Sequence, residues 1–373
     1  MAESSRLTDL VQAAIDGYVD RQSRALLDIA RDLDAVLSAA RDLLQGGKRF
    51  RARFCYWGWR AIAGLPDPLD PMAVTGRTAD RDAVIAVAAA LELLHAAALV
   101  HDDIIDRSAT RRGAPAAHER FAALHRAEGW ARDDERFGQA AALLLGDLLL
   151  GWADALFDEG ASALRSRADG DRAKAEFAKM RAEVILGQYL DVLEEHSWIA
   201  RPDAEAAMRA QRVVVYKSAK YSVEAPLVIG ALLGGASAEQ ISALRGYGLP
   251  LGIAFQLRDD ILGVFGDPDV TGKPAGDDLR EGKRTVLIAM ARSALPGPSR
   301  SLLDELLGDP DLTDEQVGML SMTIRECGAV AQLERAIDHN VGKAVAALDA
   351  AEIGPTAKRE LLALAEAVAR RSA

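Results

Sequence analysis

AVIAVAAALELLHAAALVHDDIID, residues 83–106, decides how the chain is read. Ala, Leu, Val and Ile dominate the stretch, and neither Gly nor Pro interrupts it. Such a run reads as one continuous helix. It closes on Asp102, Asp103 and Asp106. Asp102 and Asp106 are four apart and therefore one turn from each other on the same side of the helix. Two carboxylates so placed can share hard cations, and oxygen-only ligands suit Mg2+ or Mn2+, which keep waters and accept phosphate oxygens as further ligands.

A second stretch, QLRDDILGVFGD at 256–267, also ends an apolar run and carries Asp259 and Asp260. Four residues after Asp259 stands Gly263, so the side that holds two carboxylates in the first segment holds one here. The first segment is expected to bind more metal than the second. Basic residues lie near both. GGKRFRAR at 46–53 places Lys48 and Arg51 behind a glycine pair, RSATRRG at 107–113 brings Arg111 and Arg112, and Lys273 and Lys283 follow the second segment. Arginine forks suit bidentate phosphate contacts, and glycines let backbone amides approach an anion.

The rest of the chain is nearly all helical in pattern. Helical periodicity covers 7–45, 139–157, 174–196, 204–235, 238–265, 284–294, 314–328, 329–350 and 355–371, with breaks at 64–71, 165–172, 266–276 and 295–300. No series of alternating strands occurs, and the β-branched run Val213–Val215 sits inside a helical pattern. With 373 residues, half of them apolar, the chain can bury a large core. A single all-α domain over 1–373 is expected: a large helical bundle with its motifs in about 40–290 and packing helices over about 300–373.

Formal net charge is −11, which argues against nucleic acid as a partner. Cys55 and Cys327 are too few for a disulfide framework or a four-ligand zinc site, so a cytoplasmic setting is expected. The long apolar runs are broken by Glu92, His95 and Asp147, and no transmembrane segment is expected. His118, His125, His196 and His339 read as surface or core histidines, and the tryptophans as packing residues.

Taken in order, GGKRFR, ELLHAAALVHDDIID with RRG, GQYLDV at 187–192, YKSAKYS at 216–222 and FQLRDDILGVFGD running to GKPAGDDLREGKRT resemble the trans-isoprenyl diphosphate synthases, the polyprenyl synthetase family, over roughly residues 40–290. The resemblance implies the isoprenoid synthase fold with a central active-site cavity, and it implies a homodimer. Lys48, Arg51, His95 and Arg112 correspond to the pocket for isopentenyl diphosphate. Arg111, Lys217, Ser218, Gln256, Lys273 and Lys283 correspond to contacts with the allylic diphosphate. Asp102, Asp106 and Asp259 correspond to metal ligands, with Asp103, Asp260 and Asp278 in support, and Gln188 and Asp191 match the family's GQxxD. Three Mg2+ ions per site are implied, with Mn2+ as a substitute.

The reaction implied is ionisation of a dimethylallyl, geranyl or farnesyl diphosphate, attack by the isopentenyl double bond, and proton loss to the departing pyrophosphate. Two departures stand out: Gly263 replaces the last Asp of the second motif, and Ala52 stands where a Pro commonly follows. Product length is expected to depend on residues beneath Asp102, namely Ala98, Ala97, Leu94 and Leu91. None is an aromatic plug, so a geranylgeranyl product is expected, with longer polyprenyl products as the alternative. A class I terpene cyclase lacks support, because Leu262 and Gly266 stand where its second metal motif needs polar ligands. An HD-type phosphohydrolase built on His101–Asp102 leaves the second segment unexplained, and an inactive regulatory subunit is disfavoured by the intact Asp102, Asp106, Asp259, Lys217 and Lys273.

Overall fold

The computed structural model describes residues 2–64, 80–267, 275–309 and 311–369. The chain forms two compact units, one made of residues 1–177, 226–241 and 352–359 and the other of residues 178–225, 242–351 and 360–373. The described residues are almost entirely helical, and their strands are a two-residue pair, Thr110–Arg111 and Ala114–Pro115, joined antiparallel.

In the first unit α1 (Ala2–Leu27), α2 (Asp34–Leu43), α3 (Phe50–Ala63), α4 (Arg81–Ile105), α5 (Ala117–Ala127) and α6 (Asp134–Ser162) follow one another. Helix α4 is the hub, packed by α1, α3 and α6, while α5 lies on α6. Val84, Val87, Ala88, Leu91 and Leu94 of α4 are buried, as are Phe54, Trp57 and Trp59 of α3. Burying side chains of this size is the main favourable contribution to the fold, about 1.5–3 kcal/mol for each aliphatic side chain removed from water.

Helix α7 (Arg167–Ser197) leads into the second unit. There α8 (Ala206–Val213) continues as a π-helix over Val214–Glu224, after which α9 (Ala225–Leu233) belongs, from Pro226 on, to the first unit. After α10 (Ala238–Phe265) come α11 (Asp277–Glu281), α12 (Val286–Ala294), α13 (Gly297–Leu306), α14 (Asp314–Glu326), α15 (Ala329–Asp349) and α16 (Pro355–Ala369). Helix α12 packs on α8 and α15, and α14 on α15. A capping box of Thr313 and Gln316 starts α14, and Thr285 caps α12.

Several expected element boundaries are corrected. The helix read over 7–45 is split at Ala30, whose extended backbone separates α1 from α2 without a Gly or Pro. The break read at 165–172 lies instead between Ser162 and Arg167, and 167–172 are already helical in α7; 297–300 of the break at 295–300 open α13 with Pro298 in its first turn. Helices α3 and α5 went unread. Helix α3 is buried nearly all round, so it shows no polar face for periodicity to find. The stretch 204–235 is an α–π–α succession, with Val213–Val215 at the entry to the π-helix.

Helices α4 and α6 are both long and apolar enough to cross a membrane by composition. In α4 the apolar stretch is mostly buried in the first unit, whereas less than half of that in α6 is buried and Leu143 and Leu144 are exposed.

Candidate active site

Helix α4 presents a partly open stripe of His95, Ala98, Leu99, Asp102 and Asp106, at the three- and four-residue spacing of one helix side. Asp106 caps the helix, and its backbone N–H still donates to the Asp102 carbonyl at 2.8 Å. The one-turn relation expected of the two carboxylates is therefore kept. Asp103 points elsewhere: it is buried, and Arg111 donates to it through Nε at 2.8 Å and again through Nη2. The same Nη2 lies 3.5 Å from Asp102 Oδ2.

Arg111 and Arg112 are placed by the small hairpin. Arg112 and Gly113 form its two-residue loop with φ of 55° and 74°, the left-handed pair that a tight hairpin requires. Arg112 then lies against the first basic motif, with Nη1 at 3.5 Å from the Gln45 carbonyl and its guanidinium 3.4 Å from where a Cβ on Gly47 would lie. Lys48 is exposed, and Arg51 is half-buried. Burial, followed by the charges of Arg51, Arg112, Arg111 and Arg49, holds the His95 imidazole well below its ordinary pKa. The first unit thus brings a neutral imidazole and four guanidiniums to one locality. An anion of high charge density fits there.

Sequence reading missed what supports this cluster. Arg49 has a left-handed backbone, φ 48°, and a buried side chain. It donates to Gln12 Oε1 at 2.5 Å and to the Leu44 carbonyl, and it lies 3.5 Å from Glu92. Glu92 is also buried and accepts the Ala52 N–H at 3.0 Å, capping the start of α3. The buried pair ties the basic motif to α4 three residues before His95. Spacing within one helix could not reveal it, because the two residues are far apart in sequence.

In the second unit, Asp259 is half-open and Asp260 buried. Gln256 Nε2 donates to Asp260 Oδ1 at 2.9 Å, while Oδ2 has no hydrogen-bond partner among the described residues. Burial pushes the Asp260 carboxyl up to about 8, against the Gln256 hydrogen bond and with help from Asp278, Asp259 and Asp191. Asp278 explains Gly263: a Cβ on residue 263 would lie 2.0 Å from Asp278 Oδ2. A carboxylate from α11 occupies the place that a side chain at 263 would need. Two left-handed glycines, Gly276 and Gly282, bracket α11, and the Lys283 N–H donates to the Asp278 carbonyl at 3.0 Å. Arg284, stacked 3.6 Å over Trp198 and paired with Asp304 at 2.9 Å, anchors the residue beside Lys283.

Lys217 and Ser218 lie on the π-helix, and Lys217 Nζ donates to Asp191 Oδ2 at 2.5 Å. Lys273 lies outside the described residues. Of the positions expected to set product length, Ala98 is on the open stripe, whereas Ala97, Leu94 and Leu91 are buried in the core. His101 turns to α6, with Nε2 3.3 Å from the Leu143 carbonyl and 3.6 Å from Asp147. That direction is toward α6 rather than toward the Asp102–Asp106 stripe, which argues against an HD-type phosphohydrolase.

In the first unit Asp102 and Asp106, one turn apart and oxygen-only, suit a hard divalent cation that completes its shell with phosphate oxygens. Comparison with known proteins identifies the family. The polyprenyl synthetase profile matches residues 34–321. A short chain isoprenyl diphosphate synthase of Methanocaldococcus jannaschii is 31% identical over 64% of this chain and 64% of its own length. A geranylfarnesyl diphosphate synthase of Aeropyrum pernix is 32% identical over 76% of this chain and 77% of its own. Among solved structures, the geranylgeranyl pyrophosphate synthase of Corynebacterium glutamicum, complexed with isoprenyl diphosphate and magnesium, superposes with a TM-score of 0.89 at 36% identity, over 98% of this chain and 99% of that one. The chain belongs to the polyprenyl synthetase family and is a prenyltransferase.

Proposed function

We propose that the protein condenses isopentenyl diphosphate with an allylic diphosphate and releases geranylgeranyl diphosphate. The observation that carries the reading is the open stripe of α4, where carboxylates at one end give way to Ala98 and Leu99 with no bulky side chain between. The arginines about His95 receive the isopentenyl diphosphate, and the neutral imidazole adds an N–H donor there without a further positive charge. Lys217, Ser218, Gln256, Lys273, Lys283 and Arg111 hold the allylic diphosphate. Asp102, Asp106 and Asp259 hold Mg2+, three ions per site with Mn2+ as substitute, which when bound supplies charge for the leaving diphosphate. The lysines and arginines hold that diphosphate in place while the allylic C–O bond ionises, and the apolar wall at Ala98 and Leu99 excludes water from the cation.

The enzyme works in the cytoplasm as a single-domain homodimer in this reading. Exposed apolar side chains support the dimer in each unit: Leu143 and Leu144 of α6 in one, and Ile185, Leu186 and Tyr189 of α7 in the other.

Incubation with Mg2+, isopentenyl diphosphate and each allylic primer in turn, followed by sizing of the products, tests the assignment. Elongation to twenty carbons is expected. Products of twenty-five carbons or more would assign the chain to longer synthases, and no elongation from any primer would sink the reading. Ala98→Phe should stop elongation at fifteen carbons. Ala97→Phe, overpacking a closed core, should instead cost about 1–3 kcal/mol of stability.

A further inference from the structure

The GQYLD segment at 187–191 has no task in the reading above. On α7, Glu183, Gly187 and Asp191 recur every four residues and share one side of the helix. Each meets the π-helix. Lys220 Nζ donates to Glu183 Oε1 at 2.8 Å, and Lys217 Nζ donates to Asp191 Oδ2 at 2.5 Å. Between these ion pairs, a Cβ on Gly187 would lie 2.4 Å from the Lys217 backbone nitrogen and 2.5 Å from the Tyr216 carbonyl carbon. Helix α10 makes a similar approach, where a Cβ on Gly252 would lie 2.4 Å from the Ala219 carbonyl oxygen.

A π-helix is ordinarily a single turn inserted in an α-helix, and it gathers at functional sites. This one runs for 11 residues, from Val214 to Glu224, so it needs support from outside. Main-chain contact at Gly187, flanked by an ion pair on each side, supplies it at the residue that carries the Lys217 ammonium.

We propose that Gly187 is a positioning residue: with Glu183 and Asp191 it seats the π-helix so that Lys217 meets the diphosphate of the allylic substrate, and it takes no part in binding isopentenyl diphosphate. The proposal rests on the assignment of Lys217 made above. A methyl at 187 must push α7 away from the backbone at 216–217, because no flexible side chain stands there to yield. Lys217 moves with that backbone. The arginine cluster at His95 is built from other elements and is untouched.

Full-length Gly187→Ala and wild-type protein are compared in Mg2+ with farnesyl diphosphate and isopentenyl diphosphate varied in turn, and with inorganic pyrophosphate binding measured by calorimetry. The KM for farnesyl diphosphate should rise about tenfold and pyrophosphate binding should weaken in parallel, while the KM for isopentenyl diphosphate stays within about twofold. A general packing defect would move both KM values or kcat alone; either result, or no change in any, overturns the proposal. If Gly187→Ala does not fold, Glu183→Gln decides, since it removes the Lys220 ion pair and adds no atoms to the interface. It should raise the allylic KM about threefold with the isopentenyl KM unmoved, and an unmoved allylic KM overturns the proposal. Wild-type protein that elongates no primer would refute the synthase reading and this proposal with it, a result distinct from an active wild type beside an unaffected variant.

Discussion

In the first aspartate segment the open carboxylate of Asp102 has a buried neighbour, Asp103, met by the guanidinium of Arg111; in the second the open Asp259 has a buried neighbour, Asp260, met by the neutral amide of Gln256. Four residues on, the first segment has Asp106 on its own helix, whereas the second has Gly263 with the Asp278 carboxylate lying over it. The same Asp-Asp pair therefore sits in two electrostatic settings. One buried carboxylate is neutralised by a fixed cation, and the other is pushed up to about 8, where it holds its proton near neutral pH. The difference teaches that the dipeptide fixes which aspartate is open, while the residues around it, Arg111 at Asp103 and Gln256 with Asp278 at Asp260, fix the charge of the one that is not.

The largest effect should come from the open carboxylates. Asp102→Asn or Asp106→Asn is expected to cost about 10²–10³ in kcat, and Asp259→Asn less. Steady-state rates in saturating Mg2+ check the order, and an equal loss at all three would break the comparison. Next is the support of the buried pair. Arg111→Met takes the guanidinium from Asp103 and should destabilise by about 3–5 kcal/mol, whereas Gln256→Leu should cost about 1 kcal/mol because Asp260 can stay protonated. Denaturant unfolding of the two variants reads the gap directly.

A smaller change is expected at Gly263. Gly263→Ala must displace Asp278 and should cost about 1–3 kcal/mol, and Gly263→Asp should lose more rather than restore a family-like motif. Thermal melting distinguishes them. The smallest effect is in pH. Because the folded state keeps a proton on Asp260 that the unfolded chain has released, the stability this group contributes is present at acid pH and is lost as pH rises through about 8. In Mg2+-free buffer the melting temperature should decline over that interval, and less steeply for Asp260→Asn.

How much of this was legible from sequence depended on where the determinants lie. The helix of 83–106 could be read because propensity, patterning and the Asp spacing all sit within one uninterrupted run. The charge partners Arg111–Asp103 were near enough in sequence for the basic cluster to be noticed, though not the pairing. The π-helix was illegible: its residues are helical by hydropathy, and its close neighbours, Gly187 and Gly252, come from two other helices. Glu92 was read only as an interruption of an apolar run, because its cap on α3 and its pairing with Arg49 exist only in the folded chain. Gly263 was read correctly as a missing carboxylate, yet the residue that fills its place comes from a helix fifteen residues later in the chain.

Arg49 and Arg112 carry a consequence for anyone who would engineer this protein. Both hold left-handed backbone that a residue with a Cβ adopts at a cost of roughly 1–2 kcal/mol, and glycine would adopt it freely. A search for thermostabilising substitutions by backbone relief would choose them early. Arg112→Gly would remove a guanidinium from the cluster around His95, so its reward in melting temperature would come with weaker grip on an anion. At these two positions the ease of the main chain and the work of the side chain pull in opposite directions, and the natural sequence sides with the side chain.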